Sequence, residues 1–295
     1  MDFATQRAAY VKRIEASLTR AFAEWSAPAF APEIRVEDAS AYALLGGGKR
    51  LRAMLALAAG ETMGLPAAGA ERIAVAVETL HAYSLVHDDL PAMDDADTRR
   101  GQPSVHRKFD EVTAILAGDQ LLTYALGHLA DLPAALRALS DAGAQTVRGQ
   151  MLDLLSERDG VELDLAALER LQAQKTGAII RFACEAPALV ANDPDAASAL
   201  RRFGTHLGLA FQITDDILDA VSDAETLGKP VGADAEAGKA TFVTLLGLEA
   251  ARTRSEQEIS AAKAALEPLQ GHIRQDSAAL AFLSSLADFV LSRRN

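Results

Sequence analysis

The chain has 295 residues but only one cysteine, one tryptophan and 5% aromatic residues. With Cys184 alone, an intramolecular disulfide and a zinc site built from thiolates are both excluded. Scarce aromatics beside abundant alanine disfavour strands and favour helices. Positive charge is also short, 29 Lys and Arg against 41 Asp and Glu, for a net charge of −12. That balance argues against a nucleic-acid partner, since a phosphate backbone is gripped by a basic surface. Charges interrupt every apolar run before it reaches membrane-spanning length, and no apolar leader opens the sequence. No membrane span is expected, and the expected compartment is the cytoplasm.

What is present is apolar periodicity of the helical kind. Ala8, Val11, Ile14, Leu18, Phe22 and Trp25 recur at spacings of three and four, predicting a helix that stops near Pro28. A helix over Glu37–Leu45 meets Gly46-Gly47-Gly48-Lys49-Arg50, restarts through Leu51, Met54, Leu55 and Ala58, and breaks at Gly64-Leu65-Pro66. Ala70–Asp89 is apolar on all sides, the mark of a central helix. Further helices are expected over Glu111–Ala130, Ala134–Glu157, Asp164–Val190 and, after Asn192-Asp193-Pro194, to Val221. Leu227–Lys239 reads as a loop, and helices resume at Thr241 and Ser277. No period-two run calls for strands, and no linker divides the sequence. The expectation is one all-α domain over residues 1–295, of about ten helices.

Two acidic blocks end apolar helical runs. In the first, Asp88, Asp89, Asp94, Asp95 and Asp97 fall just before Arg99 and Arg100. In the second, Asp215 and Asp219 are i and i+4 and Asp216 and Asp219 are i and i+3, so their carboxylates share a helix face. Clustered carboxylates repel and raise one another's pKa unless a cation neutralises them, and the helix dipole disfavours them at a C-terminus. Oxygen-only donors favour a hard cation, magnesium before calcium, and an EF-hand pattern is missing. Magnesium on a few aspartates serves a polyphosphate, which also needs cationic partners. Lys49, Arg52, Arg99, Arg100, Lys175, Lys229 and Lys239 are candidates; each alone reads as a surface charge. The glycines before Lys49 lack the spacing of a Walker loop.

Taken in order, Gly47-Gly48-Lys49-Arg50-Leu51-Arg52, His81 through Asp95, Arg99-Arg100-Gly101, Ala114 through Asp119, Gly149-Gln150, Lys175-Thr176-Gly177-Ala178, Phe211-Gln212 through Asp219, Leu227-Gly228-Lys229 and Gly238-Lys239-Ala240-Thr241 form a composite pattern. It resembles the trans-isoprenyl diphosphate synthases, most closely the short-chain bacterial farnesyl diphosphate synthases. The resemblance implies an all-α helical bundle of isoprenoid-synthase type around a deep central cavity, forming a homodimer. It implies that Asp88, Asp89 and Asp94 face Asp215, Asp216 and Asp219 and hold magnesium, as three ions, on an allylic diphosphate, with Asp88, Asp94 and Asp215 the closest ligands. Arg99, Lys175, Lys229 and Lys239 would grip the same diphosphate, while Lys49, Arg52, His81 and Arg100 would bind isopentenyl diphosphate. Thr176 and Gln212 would turn oxygen dipoles towards an allylic cation. The family varies at Arg50.

The activity so implied condenses isopentenyl diphosphate with dimethylallyl and geranyl diphosphates to give farnesyl diphosphate and pyrophosphate. Geranyl or geranylgeranyl diphosphate synthesis is the neighbouring alternative. A class I terpene cyclase would not need the second diphosphate site, and a silent partner subunit would be expected to have lost aspartates. A histidine–aspartate phosphohydrolase would leave Lys49, Arg52 and the second block unexplained. Three departures from the family pattern stand out: Ala53 where proline is common, Thr214 where glutamine is frequent, and Phe242-Val243 in place of Tyr-Pro. On a helix Ser84 and Tyr83 lie about 6–7.5 Å from Asp88 along the axis, where a growing prenyl tail would meet the Tyr83 ring. In the family an aromatic residue there, with the two-residue enlargement inside the first motif, goes with a C15 product. Tyr83→Ala is therefore expected to lengthen the products formed from dimethylallyl and isopentenyl diphosphates; an unchanged product distribution would remove Tyr83 as the floor.

Overall fold

Asp2 accepts the Thr5 amide at 2.9 Å and starts the first helix, α1 (Phe3–Trp25), whose buried stripe includes Tyr10, Ile14, Leu18 and Phe22. The structure is a computed structural model and describes residues 2–26, 34–227, 240–271 and 277–293. After α1 come α2 (Ile34–Leu45), α3 (Leu51–Thr62) and α4 (Ala67–Asp88). Both α3 and α4 are buried on most sides, as apolar runs without a polar face must be. A short helix, α5 (Val105–Lys108), leads to α6 (Glu111–Gly127), which Asp110 caps through the Thr113 amide at 2.7 Å. Then follow α7 (Pro133–Arg158), α8 (Leu165–Gln172), α9 (Ala178–Val190) and the long α10 (Pro194–Leu227). The described chain closes with α11 (Phe242–Leu246), α12 (Leu248–Ala265) and α13 (Ser277–Ser292).

The product is an all-α bundle, with α4 packed between α3 and α6 and α10 between α9 and α12. One large apolar cluster links most of the helices. A smaller one, formed by Leu168, Ile213, Phe242, Val243 and Ala251, sits under the second acidic block. No described helix is long and apolar enough to cross a membrane.

The structure corrects the sequence-based expectations in four places. Two-residue strands, β1 (Thr98–Arg99) and β2 (Gln102–Pro103), pair antiparallel around Arg100 and Gly101, both at positive φ. This is the backbone a two-residue hairpin turn demands, and the strands are too short to show a period of two. The helix expected over Asp164–Val190 is divided by a π turn at Ala173–Gly177. The helix α5 was not anticipated, and α10 runs past Val221 to Leu227. The loop expected at Leu227–Lys239 lies, beyond Leu227, outside the described residues, and so do Lys229 and Lys239.

Two glycines let that π turn be squeezed between helices. A Cβ on Gly149 of α7 would stand 2.3 Å from the Lys175 amide nitrogen, and one on Gly208 of α10 would stand 3.0 Å from the Gly177 Cα. Neither neighbour is a flexible side-chain end. Gly149→Ala should therefore overpack the contact and cost about 1–3 kcal/mol. The check is a urea melt, in which the midpoint falls while the slope is unchanged.

Candidate active site

The first acidic block begins where α4 ends. The chain then folds back on itself, with the Asp94 amide donating to the Asp88 carbonyl at 2.9 Å and the Ala96 amide to the Asp89 carbonyl at 3.2 Å. Arg158, at the end of α7, donates to the Ala92 carbonyl at 3.1 Å and also to that of Met93, pinning the loop from outside. Within it the three candidate metal-binding aspartates have different surroundings. Asp89 is buried and held by the Arg99 guanidinium, with Nε 3.0 Å from Oδ1. Asp94 accepts from Gln150 Nε2 at 3.1 Å. Asp88 has no such fixed donor: burial pushes its carboxyl up to about 7, the charges of Asp94 and Asp89 add to the rise, and Lys175 and Arg99 oppose it.

The second block lies about two-thirds of the way along α10, which continues to Leu227, so it does not end a helix as the sequence suggested. Asp216 accepts from the Phe242 amide at 2.8 Å and from Gln212 Nε2 at 3.2 Å, and Gln212 Oε1 accepts from the Thr176 hydroxyl at 3.2 Å. Even so, burial and the neighbouring Asp215 and Asp219 push Asp216 up to about 6. Asp215 is also raised by burial, despite an ion pair with Arg293 at 2.8 Å. Among the described residues no three acidic, histidine or cysteine side chains converge into a ready-made metal cage. The donor set still fits a hard divalent cation: the oxygens are carboxylate, and the charges crowd one another with too few fixed counter-charges.

Beside these blocks lies a cavity of about 880 Å³. Its lining brings together Lys49, Arg52, His81, Arg99 and Arg100, joined by Arg7, Arg50 and Arg293, with Glu78 as the one carboxylate among the described residues. Arg52 Nη1 stands 3.2 Å from His81 Nε2. A guanidinium only donates, so Nε2 accepts and the His81 proton sits on Nδ1. Burial, followed by the charges of Arg52, Arg100, Arg50 and Arg99, holds His81 well below the usual histidine range, so the ring is neutral. His81 Nδ1 and Arg52 Nε are both buried without a protein partner. An anion rich in acceptor oxygens would satisfy both.

Other expected residues fall elsewhere. The Lys175 ammonium, on the π turn, is held by the buried carboxylate of Asp153. Tyr83 is half-buried on α4 with its ring edge-on to His87, centroids 5.0 Å apart, and the Ser84 hydroxyl donates to the His81 carbonyl at 2.9 Å. Thr214 turns away from the acidic face, donating to the Ala210 carbonyl at 2.8 Å and lying 2.9 Å from the Ser255 hydroxyl. Sequence reasoning missed Arg293, Asp153 and Arg158. The first two had a readable signal, because each is a charged residue in step with a buried apolar stripe: Leu283, Leu286 and Val290 before Arg293, and Leu139, Ala142 and Thr146 before Asp153.

A helical chain that sets two partly buried acidic motifs beside a cationic cavity has the build of a diphosphate-handling helical prenyltransferase. Comparison with known proteins makes this specific. The Polyprenyl synthetase family model matches residues 33–274, and the chain belongs to that family. It is 43% identical to the farnesyl diphosphate synthase of Escherichia coli (strain K12), over 99% of both chains. It is 38% identical to geranylgeranyl pyrophosphate synthase 9, chloroplastic, of Arabidopsis thaliana, over 92% of this chain and 77% of the other. The crystal structure of an FPP/GFPP synthase from Zymomonas mobilis in its apo form superposes with a TM-score of 0.84 at 35% identity, covering 97% of this chain and 99% of that one.

The raised Asp88 carboxyl has a measurable consequence. A folded-state value near 7 against an unfolded one near 4 means that the ionised carboxylate penalises the folded state. The penalty is absent at pH well below 4, grows as pH rises and is complete above about pH 7. Asp88→Asn should thus stabilise the ligand-free protein by on the order of 2 kcal/mol at pH 8, and by less at pH 5. Thermal melts at the two pH values check this; an equal or opposite change would contradict the assignment.

Proposed function

We propose that this chain condenses isopentenyl diphosphate head to tail with dimethylallyl and then geranyl diphosphate, releasing pyrophosphate at each step and stopping at farnesyl diphosphate. The observation that carries this reading is the pairing of the cationic cavity with the partly buried acidic blocks. Lys49, Arg52, His81 and Arg100 hold isopentenyl diphosphate, with the unpartnered His81 Nδ1–H and Arg52 Nε–H as donors to its oxygens. Asp88, Asp89, Asp94, Asp215, Asp216 and Asp219 would hold magnesium, taken as three ions, with Asp88, Asp94 and Asp215 closest. When bound, magnesium would neutralise negative charge on the departing pyrophosphate.

Lys175 and Arg99 add cationic donors to the allylic diphosphate, each released from the carboxylate that holds it here, Asp153 and Asp89 respectively. As the allylic C–O bond breaks, its electron pair leaves with pyrophosphate. The Thr176 and Gln212 side chains, bonded to each other beside the second block, turn their oxygen dipoles towards the resulting cation in this reading. The double bond of isopentenyl diphosphate then forms the new C–C bond, and the proton lost from the adjacent carbon passes to pyrophosphate. Apolar walls around Tyr83 and Phe211 exclude water that would quench the cation. Lys229 and Lys239 join the allylic subsite on the strength of the family resemblance.

The whole of residues 1–295 acts as one synthase domain in the cytoplasm, as a homodimer. The exposed Val112, Ile115 and Leu116 on α6 offer an apolar face for a second copy. The test is incubation with labelled isopentenyl diphosphate, magnesium and either dimethylallyl or geranyl diphosphate, followed by chromatography of the dephosphorylated products. Farnesol as the end product is expected, and Asp216→Asn should lower kcat by roughly 100-fold or more. No product from either primer would overturn the reading, and a C20 end product would move it to geranylgeranyl diphosphate.

A further inference from the structure

Arg50 stands in the left-handed region at φ 50, ψ 29, as the residue before α3, a position more often taken by glycine or asparagine. Its side chain is 1% exposed. There it does three things at once. Nε lies 2.7 Å from Glu15 of α1, Nη1 lies 3.4 Å from Glu78 of α4, and Nη2 donates at 2.8 Å to the carbonyl of Leu44 near the end of α2. Glu78, itself buried, spends its other oxygen on the Ala53 amide at 3.1 Å, in the first turn of α3. Proline, common in the family at that position, has no N–H to offer, so this bond depends on the departure to Ala53. Arg50 and Glu78 also line the cationic cavity.

We propose that Arg50 and Glu78 are positioning residues for the isopentenyl diphosphate subsite, a role that rests on the function proposed above. Glu78 ties the start of α3, and with it Arg52, to the α4 face that carries His81 one turn on. Arg50 neutralises the Glu78 carboxylate, which would otherwise repel a diphosphate entering the cavity. The pair keeps a structurally needed anion from opposing the anionic substrate. A brace that served folding alone would affect both substrates and turnover alike; this one acts on one subsite.

Three variants, Arg50→Met, Glu78→Gln and the double variant, separate the possibilities. Arg50→Gln, which also removes the charge, replaces Arg50→Met if the latter does not fold. The first readout is calorimetric binding of inorganic diphosphate without magnesium. Arg50→Met should weaken it by about tenfold or more, and Glu78→Gln in that background should recover most of the loss, as expected for an uncompensated buried charge. The second readout is steady-state turnover. In Arg50→Met the KM for isopentenyl diphosphate should rise about tenfold or more, while the KM for geranyl diphosphate and kcat stay within about threefold. Uniform loss in both KM values and kcat, or no recovery in the double variant, would overturn the proposal. A wild-type protein that binds diphosphate as described but makes no product would instead overturn the synthase reading.

Discussion

Carboxylates crowd one another here, partly buried and without enough fixed positive charge to balance them, and the rest of the structure follows from that constraint. Asp88 is pushed up to about 7 and Asp216 to about 6, although each sits in a well-packed helical frame. A protein selected only to be stable would have little use for either. Every nearby element can be read by how it limits the cost. Arg99 settles on Asp89, Gln150 bonds Asp94, the Phe242 amide bonds Asp216, and Arg293 pairs with Asp215. What stays uncompensated is the part that a divalent cation and a diphosphate would satisfy.

The same logic sorts charge across the molecule. The chain as a whole carries a net charge of −12, yet one cavity gathers Lys49, Arg52, Arg99, Arg100 and Arg293. Local potential, set by what lines a concave surface, governs an anionic ligand far more than net charge does. Two of these cations are already held: Arg293 by Asp215 and Arg100 by the Gly47 carbonyl. Such contacts hold long side chains in place and lessen the entropy lost when a ligand is gripped.

Much of this was legible in the sequence because the signals were local. Helical periodicity placed α1, α3, α4 and α6 to within a few residues, and the acidic blocks stood out by spacing. The rest depended on contacts distant along the chain. Nothing near Arg50 announces Glu15 or Glu78, and nothing near Asp215 announces Arg293, 78 positions later in the numbering. The hairpin around Arg100 and Gly101 escaped notice because its strands are two residues long. Thr214 looked like a departure within the acidic face, but the fold points it towards Ser255. Tyr83, chosen for its distance from Asp88, lies on the expected helix, and its ring packs on His87.

The π turn at Ala173–Gly177 has a consequence for how this chain tolerates change. A π turn is an α-helix with one residue too many, and each residue of a helix accounts for about 100° of rotation. The surplus sets the apolar stripe of α8 out of phase with that of α9, so each helix meets its own neighbours while Lys175 and Thr176 stand between them. Losing a single residue there would leave the backbone free to hydrogen-bond as a continuous helix. Everything before the turn would nevertheless be rotated against everything after it. The segment is therefore elastic to substitution at its exposed positions and brittle to any change in its length.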